Sequence, residues 1–523
     1  MEVQKALLVY PGFPGSFWSF QHALKFIGRK AAMPPLPLAT VAAMLPHEWK
    51  VRLIDENIEP LADADLEWAN IALFSAMTVQ KDSLFTLVTR AKRAGLRVVV
   101  GGPYPTSYQS EIEDRVPGMV DHFFLGECEE TLPGFLEDLE ANRARKIYEG
   151  PRVGTKVTTN VTRSPTPRFD LIKMQCYATM LIQWSRGCPF DCEFCDITNL
   201  FGRIPRLKPV PQMLVELDTL YELGWRGRVF FVDDNFIGNK KAVVPLLEAI
   251  AEWQEERRYP FQFVTEASID LASHITLLRL MQDAGFVGVF VGIESPNDEA
   301  LKTTVKGQNR KREMSAREHM LHGIRVIQRH GLEVAGGFIV GLDGDTEFDS
   351  HVSFIEEAGI PMAMVGLLGA IRGTNLWDRL VREGRILKDG AHSGDNTSFV
   401  LNFETQLPRE EVFESYRRVI STLYEPTLRR YFERCITMME QLGPHDTGYG
   451  SFDSWTSMKA FTRSVMRQGL SRQGPAYFWF LARVLFLRPR LFSMAVMLAI
   501  NGYHFERVTR KAIAAYESAV SES

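Results

Sequence analysis

Three cysteines stand together in the stretch WSRGCPFDCEFCDI, at Cys188, Cys192 and Cys195, spaced C-x3-C-x2-C. Clustered thiolates of this kind suit metal or cluster ligation. A structural zinc site is closed by four ligands, usually as two C-x2-C pairs. No fourth ligand is evident, because neither Cys128 nor Cys176 has the spacing of a partner. A cubane [4Fe–4S] cluster held by three cysteines leaves one iron open to a further ligand. Zinc and a chance grouping are the alternatives at this point.

The bulk properties narrow the setting. At 523 residues the chain exceeds one ordinary domain and suggests two or three. Hydrophobic residues make up 45% and charged residues 24%, which suits a globular protein with a sizeable core. A net charge of −4 gives no global basic field for nucleic acid. The start, MEVQKALLVYPGF, enters a strand-like run with an acidic residue at position 2, unlike a signal peptide. Six cysteines, three of them clustered, form no disulfide framework. They fit a reducing cytoplasm, where thiolates serve as ligands.

The cysteines must be held by something, and the pattern around them is strand–helix alternation. Strand candidates are TMLIQWS (179–185), RVFFVDD (228–234), FQFVTEAS (261–268), VGVFVGIES (287–295), VAGGFIVGL (334–342) and MAMVGLLGA (362–370). Helical patterns such as VPQMLVELDTLYELG and SAREHMLHGIRVIQRHG separate them. Six such units predict a parallel but incomplete barrel over 179–375, since eight close the usual kind. The cysteine loop directly follows the first strand. That puts it at the carboxyl face, where barrels do their chemistry.

A second alternating series fills residues 1–150. Its strands, among them KALLVY, KVRLID (50–55), WANIALFSAM (68–77) and LRVVV, are dominated by apolar runs, as in a doubly wound parallel sheet. Asp82 is a plausible N-cap for the helical pattern at 82–94. Ligands of such sheets bind beyond the carboxyl ends of the strands. Those ends carry Gly12 to Ser16, Ser75 to Thr78, Gly101-Gly102-Pro103 and Gly126-Glu127. Paired glycines let backbone approach a bulky ligand, although they also make ordinary tight turns. No G-x-G-x-x-G follows the first strand, which disfavours a dinucleotide. Residues 151–178 are polar and read as a connector.

C-x3-C-x2-C with an aromatic, Phe194, just before the last cysteine resembles the signature of the radical S-adenosylmethionine (SAM) superfamily. The N-terminal layout resembles the cobalamin-binding domain that precedes certain iron–sulfur enzymes. Together, PRFDLI, SRGCPFDCEFCDI and FFVDDNF resemble the cobalamin-dependent radical SAM enzymes, among them hopanoid C-2 methylases and the cyclase and methylases of bacteriochlorophyll synthesis. The resemblance covers about residues 1–375 with specific motifs. It implies a [4Fe–4S] cluster on Cys188, Cys192 and Cys195, with SAM on the open iron.

By the same resemblance, Asp233, Asp234 and Asn235 fall where the superfamily places a Gly-Gly-Glu-like segment for the methionine amino group. The departure from that motif leaves the particular residue open. Glu266 and Glu294, at the ends of the third and fourth strands, are candidates for ribose hydroxyls, Glu294 the better one. An acid at a strand end is as often a helix cap or a solvated residue. Gly337, Ile339 and Gly341 resemble a G-x-I-x-G motif that lets adenine lie flat beside Phe194.

For cobalamin, Ser75 and Gly101-Gly102 match the family's serine and glycine pair, with Gly12, Ser16, Thr78, Pro103, Gly126 and Glu127 nearby. The D-x-H-x-x-G loop of the methionine-synthase type is absent. His22 has Phe20 two places before it and is expected to be an ordinary packed or surface histidine rather than a cobalt ligand. A displaced lower base is implied.

The resemblance implies that an electron from a flavodoxin- or ferredoxin-like donor leads to SAM cleavage, hydrogen abstraction from an unactivated carbon, and methyl transfer from methylcobalamin. A second SAM then restores the methyl group. The substrate is expected to be a small molecule, with a membrane-derived lipid or isoprenoid as a candidate class. The main alternative is a cyclase or oxidative rearrangement without methyl transfer. A tRNA-modifying enzyme would need a basic C-terminal domain, whereas this tail is mixed and aromatic. A sensor would leave a SAM site without purpose.

From 376 to 523 the pattern is helical and amphipathic, with a polar gap at 443–454. The segment 476–500 is dense in apolar residues, but Arg483, Arg488, Pro489 and Arg490 break it. Neither piece reaches the roughly 20 residues needed to span a bilayer. A pair of buried helices capping the barrel is the favoured expectation. An interfacial hairpin at the inner membrane face is the other.

Overall fold

The computed structural model describes residues 4–151, 159–387, 393–444 and 454–522. Most of the expected polar gap, and residues 152–158 of the expected connector, lie outside these.

The first sheet comprises β1 (Lys5–Tyr10), β2 (Lys50–Asp55), β3 (Ile71–Ser75), β4 (Arg97–Gly101), β5 (His122–Leu125) and β6 (Ile147–Glu149). All pairings are parallel, in the order β2-β1-β3-β4-β5-β6. Helices cover both faces and bury two separate apolar clusters, which is why the strands are apolar on both sides. The helix expected to start at Asp82 runs Lys81–Arg93, with Gln80 as its N-cap. Asp82 therefore sits inside the first turn, where its charge favours the helix dipole without capping it.

The second sheet begins at β7 (Met180–Ile182). A short antiparallel pair follows, β8 (Ser185–Arg186) with β9 (Arg206–Leu207), bracketing the cysteine loop. The sheet continues through β10 (Gly227–Phe231), β11 (Phe261–Glu266), β12 (Phe286–Glu294), β13 (Glu333–Val340) and β14 (Ala363–Leu367). Its order, β14-β13-β12-β11-β10-β7, is parallel throughout and open between β14 and β7.

Residues in register share a face. Glu266 pairs with Phe290, Gly292 with Gly337, and Ile339 with Gly366. On this face Val264, Glu266, Phe290, Gly292, Ile339 and Met364 are only half-buried, while neighbours such as Val289, Val291, Phe338 and Val365 are buried. The half-exposed face is therefore the barrel lumen, and the other packs against the helices.

The free edge of β14 is sealed by the C-terminal region. Tyr424 Oη donates to the Ala363 carbonyl at 2.7 Å and accepts from its N–H at 3.1 Å. Tyr416 Oη lies 3.2 Å from the Val365 carbonyl. Exposed strand edges are costly, and here two tyrosines satisfy one. Barrel and C-terminal helices consequently share one continuous core.

The apolar segment at 476–500 forms parts of two helices, Gly474–Leu487 and Phe492–Glu522, broken at Arg488–Leu491. Among the described residues no helix is long and apolar enough to cross a membrane.

Candidate cofactor site at the mouth of the open barrel

The cysteine loop is fixed from beneath by two acids. Asp233, just past β10, accepts the Trp184 N–H at 3.2 Å and also the Ser185 N–H. Asp234 accepts the Gly187 N–H at 2.7 Å. Gly187 has φ of 99°, and a Cβ there would sit 2.9 Å from the Gly202 carbonyl, so the turn into Cys188 requires glycine. Burial pushes Asp233 up to about 7 and Asp234 up to about 6, against the loop N–H donors that favour their charge. Glu266 faces the same region. Its burial, with the charges of Asp234 and Asp233, raises it to about 8.

Two side-chain amides point at the sulfurs. Asn235 Nδ2 lies 3.9 Å from Cys188 Sγ and donates to Ser268 Oγ at 3.1 Å. Gln308 Nε2 lies 3.6 Å from Cys192 Sγ. The amide oxygens of both residues are buried without a partner. Among the described residues no three His, Cys, Asp or Glu groups converge as they would on one ion. Thiolates that each meet a different iron need not converge. Three thiols flanked by N–H donors fit a cubane better than a closed zinc site.

Glu294 ends β12 beyond a register shift, with φ of 65°, an uncommon conformation for a side chain of its size. Its carboxylate pairs with buried Lys306 at 2.6 Å. Lys306 Nζ in turn lies 5.8 Å from the Phe194 ring centroid. Burial opposes its charge, but Glu294 and the neighbouring thiols hold its pKa above the ordinary lysine range. Gly292 leaves room for this pair, since a Cβ there would crowd Glu294 and lie 2.9 Å from Lys306 Nζ. Asn309 fixes the strand end by donating to the carbonyls of Gly292 (3.0 Å) and Ile293 (2.9 Å). Phe290 of β12 lies against Gly337 of β13, where a Cβ would come within 2.9 Å of its ring. Ile339 is in the lumen, and Gly341 follows the strand with φ of 96°.

The carboxyl ends of the first sheet face this mouth. Gly102 has φ of 100°, and a Cβ there would meet Ser75 Oγ at 2.9 Å. Pro103 opens the helix that follows. Thr106 Oγ1 accepts the Gly126 N–H at 2.9 Å, and Gly12 N–H donates to Ser83 Oγ at 2.8 Å. Ser16 and Thr78 stand at the starts of short 3-10 turns. This cradle of glycines and small hydroxyl side chains at strand ends fits a bulky ligand that approaches the backbone. Glu127 makes ion pairs with Arg186 at 2.8 Å and Arg206 at 2.7 Å, tying this sheet to the base of the cysteine loop.

The loop after β1 reaches further. Trp18 packs edge-on against Phe290 in the lumen, with ring centroids 5.5 Å apart. The C-terminal helix holds that loop: Phe17 stacks on Phe505 at 4.4 Å, and His504 Nε2 lies 2.9 Å from the Phe17 carbonyl. His504 Nδ1 accepts the His22 N–H at 3.4 Å. Both roles suit a neutral ring, and burial lowers His504 to about 4. His22 itself is part of this packing contact.

Lys306, Gln308, Gly292 and Trp18 were not legible as site residues from the sequence. They lie in loops, turns or strands without a motif to single them out.

Comparison with known proteins agrees with this fold. The radical SAM superfamily matches residues 182–355, and the B12 binding domain matches 27–136. A domain of unknown function, DUF4070, matches 374–518. An uncharacterized methyltransferase of Synechocystis is 40% identical over 505 residues, covering 96% of this chain and 91% of that protein. Hopanoid C-2 methylase of Rhodopseudomonas palustris is 37% identical, covering 82% and 79%. Among solved structures, the cobalamin-dependent SAM radical enzyme OxsB aligns over 100% of this chain and 81% of its own, with a TM-score of 0.61 and 16% identity.

The chain belongs to the cobalamin-dependent radical SAM enzymes, in the branch that includes these methyltransferase relatives. Its cofactors are accordingly a [4Fe–4S] cluster, SAM and cobalamin.

Proposed function

We propose that the protein is a C-methyltransferase acting on an unactivated carbon of an apolar polycyclic or isoprenoid lipid. The observation that carries this reading is the contact of Trp18 with Phe290: a loop of the cobalamin-binding sheet enters the lumen onto which the candidate SAM residues open. Methyl transfer to carbon needs both sites to share one space. When bound, the cofactors supply the one-electron chemistry and the methyl group, and the protein positions and shields them.

In this reading Cys188, Cys192 and Cys195 hold the cluster, with Asn235 and Gln308 hydrogen-bonding to its thiolates. Asp233 and Asp234 set the loop, so Asn235 is the freer member of the trio for the methionine end of SAM. Glu294, fixed by Lys306, serves the ribose, and Gly337 and Ile339 border the adenine. Gly12, Ser16, Ser75, Thr78, Gly101, Gly102, Pro103 and Gly126 border cobalamin, while Glu127 locks the two halves together.

The substrate class is supported by the hopanoid relative. A cavity of about 310 Å³ lies beside β14, on the side of the strand that packs against the C-terminal helices rather than in the lumen. Phe17, Val365, Phe399 and Tyr516 line it together with the charged Asp395 and Lys511, and it reaches the loop after β1 at Gly15 and Ser16. A flavodoxin- or ferredoxin-like protein is the proposed electron donor. The cytoplasm, at the inner face of a membrane, is the proposed place of work.

The test supplies reconstituted holoenzyme with reductant, SAM and a polycyclic lipid extract, and quantifies 5′-deoxyadenosine and S-adenosylhomocysteine, with Cys192→Ala as control. Comparable, extract-dependent amounts of both support methylation. Deoxyadenosine alone would indicate a cyclase-type reaction, and neither product with zinc bound would end the reading.

A further inference from the structure

Helix Gly474–Leu487 is apolar on all sides apart from Arg483. Tyr477, Phe480, Leu481 and Val484 are buried against the C-terminal core. The opposite side is apolar too: Phe478, Ala482 and Leu485 recur at helical spacing and are exposed, and Phe486 beside them is 88% exposed. A helix apolar all round is normally covered all round. The exposed stripe extends onto the preceding segment, because the Phe478 ring lies over Gly469, next to Leu470, which is 73% exposed. Met466, one turn earlier, is 60% exposed. Isolated exposed apolar residues need no explanation, but a contiguous group of this kind marks an interaction surface.

Charge indicates the occupant. Between 454 and 505 the sequence has seven Lys and Arg and no Asp or Glu, in a chain whose net charge is −4. Glu506 meets Arg472 at 2.6 Å and Glu440 meets Arg483 at 3.6 Å. Among the described residues no ion pair engages Arg463, Arg467, Arg488 or Arg490. Arg463 donates to the Phe26 carbonyl, Arg488 donates to the Leu442 carbonyl, and Arg467 lies over the Phe26 ring. Large apolar side chains flanked by unneutralised arginines, with acids excluded, are the composition of a segment that lies in a bilayer interface.

We infer that this face, centred on Leu470, Phe478, Leu485 and Phe486, docks on an anionic lipid bilayer without spanning it. The apolar side chains enter the acyl boundary, and the arginines meet the headgroup phosphates. This deepens the proposed lipid chemistry by bringing the enzyme to the phase where such substrates dissolve, yet it concerns binding alone.

The test is sedimentation of full-length holoenzyme with vesicles of phosphatidylcholine alone or with phosphatidylglycerol added, both free of polycyclic lipid. Binding is expected to the anionic vesicles and to fall with salt. L485S/F486S, whose side chains are already exposed and leave the core intact, and R467E/R490E are each expected to lower partitioning more than about tenfold. Absence of binding to anionic vesicles would overturn the inference. So would self-association without vesicles that L485S/F486S abolishes, which would assign the face to a second copy. Because no turnover is measured, failure here leaves the methylation reading standing, and failure of methylation leaves this one standing.

Discussion

Glu127 accepts from Arg186 at 2.8 Å across the junction of the two parallel sheets, two residues before the first cysteine of the cluster motif. Arg186 also meets Glu129 at 2.7 Å, and Glu127 also meets Arg206 at 2.7 Å. Burial pushes Glu129 up, yet Arg186 prevails and holds it below the ordinary carboxylate range. All the side chains of this network are 13% exposed or less, so solvent does not screen them as it would a surface pair. The junction between the cobalamin-binding half and the cluster loop is thus built of charge.

Removing one member should therefore be costly. Glu127→Ala leaves Arg206 without a carboxylate and Arg186 with one, and is expected to lower stability by about 2–3 kcal/mol. Urea denaturation checks the loss. Glu127→Gln, which keeps hydrogen bonding without charge, should lose less. If Glu127→Ala unfolds like the parent, the junction depends on something else, such as the Tyr177 hydroxyl on Asp55 at 2.8 Å.

The floor of the barrel carries a second testable charge. Glu333 starts β13, and its burial, only partly offset by Arg228, raises its pKa to about 7. One of its carboxyl oxygens is buried without a partner. Its proton is held more tightly folded than unfolded, where about 4.3 is usual. The unfolded chain therefore binds fewer protons in this window, and stability should fall as pH rises from about 4.5 to 7, then level off. Glu333→Gln is expected to flatten that slope and to be more stable than the parent at pH 8 by about 1–2 kcal/mol. A thermal-melt series from pH 5 to pH 8 decides it, and an unchanged slope would assign the charge elsewhere.

How far the sequence discloses this architecture depends on what each feature rests upon. Continuous apolar strands and helical repeats are local properties, so both sheets, the open barrel and the break near Pro489 were legible. The cysteine loop was legible because three ligands must be close along the chain to turn around one cluster. Lys306 and Gln308 meet Glu294 and Cys192 only through the fold, 12 and 116 residues away, and no periodicity announces such contacts. Asp233 and Asp234 were legible as acids at a strand end. Their engagement with the loop's own N–H groups needed coordinates. The C-terminal helices divide in the same way, since their apolar density was evident but which side stays exposed was not.

Gln308 is expected to tune the cluster rather than hold it. An N–H directed at a ligating sulfur stabilises the reduced, more negative state. Gln308→Leu should retain iron and sulfide but shift the cluster potential downward by roughly tens of millivolts. A redox titration followed by electron paramagnetic resonance measures this. Loss of iron instead would make Gln308 structural.

Gly292 offers the sharpest test of the Glu294 assignment. It precedes the bulge that turns Glu294 into its left-handed conformation, and its missing side chain is the space that the Glu294–Lys306 pair fills. Gly292→Ala adds one methyl group there and touches neither the cysteines nor the first sheet. Displacing a charge-assisted pair typically costs about 1.5–3 kcal/mol, so SAM affinity is expected to fall about tenfold or more if Glu294 contacts the ribose. Equilibrium dialysis of the reconstituted protein reads the affinity, and its iron content shows whether the cluster is intact. A stable, iron-replete variant with undiminished SAM affinity would remove Glu294 from the SAM site. The carboxylate would then serve only to neutralise Lys306 beside Phe194.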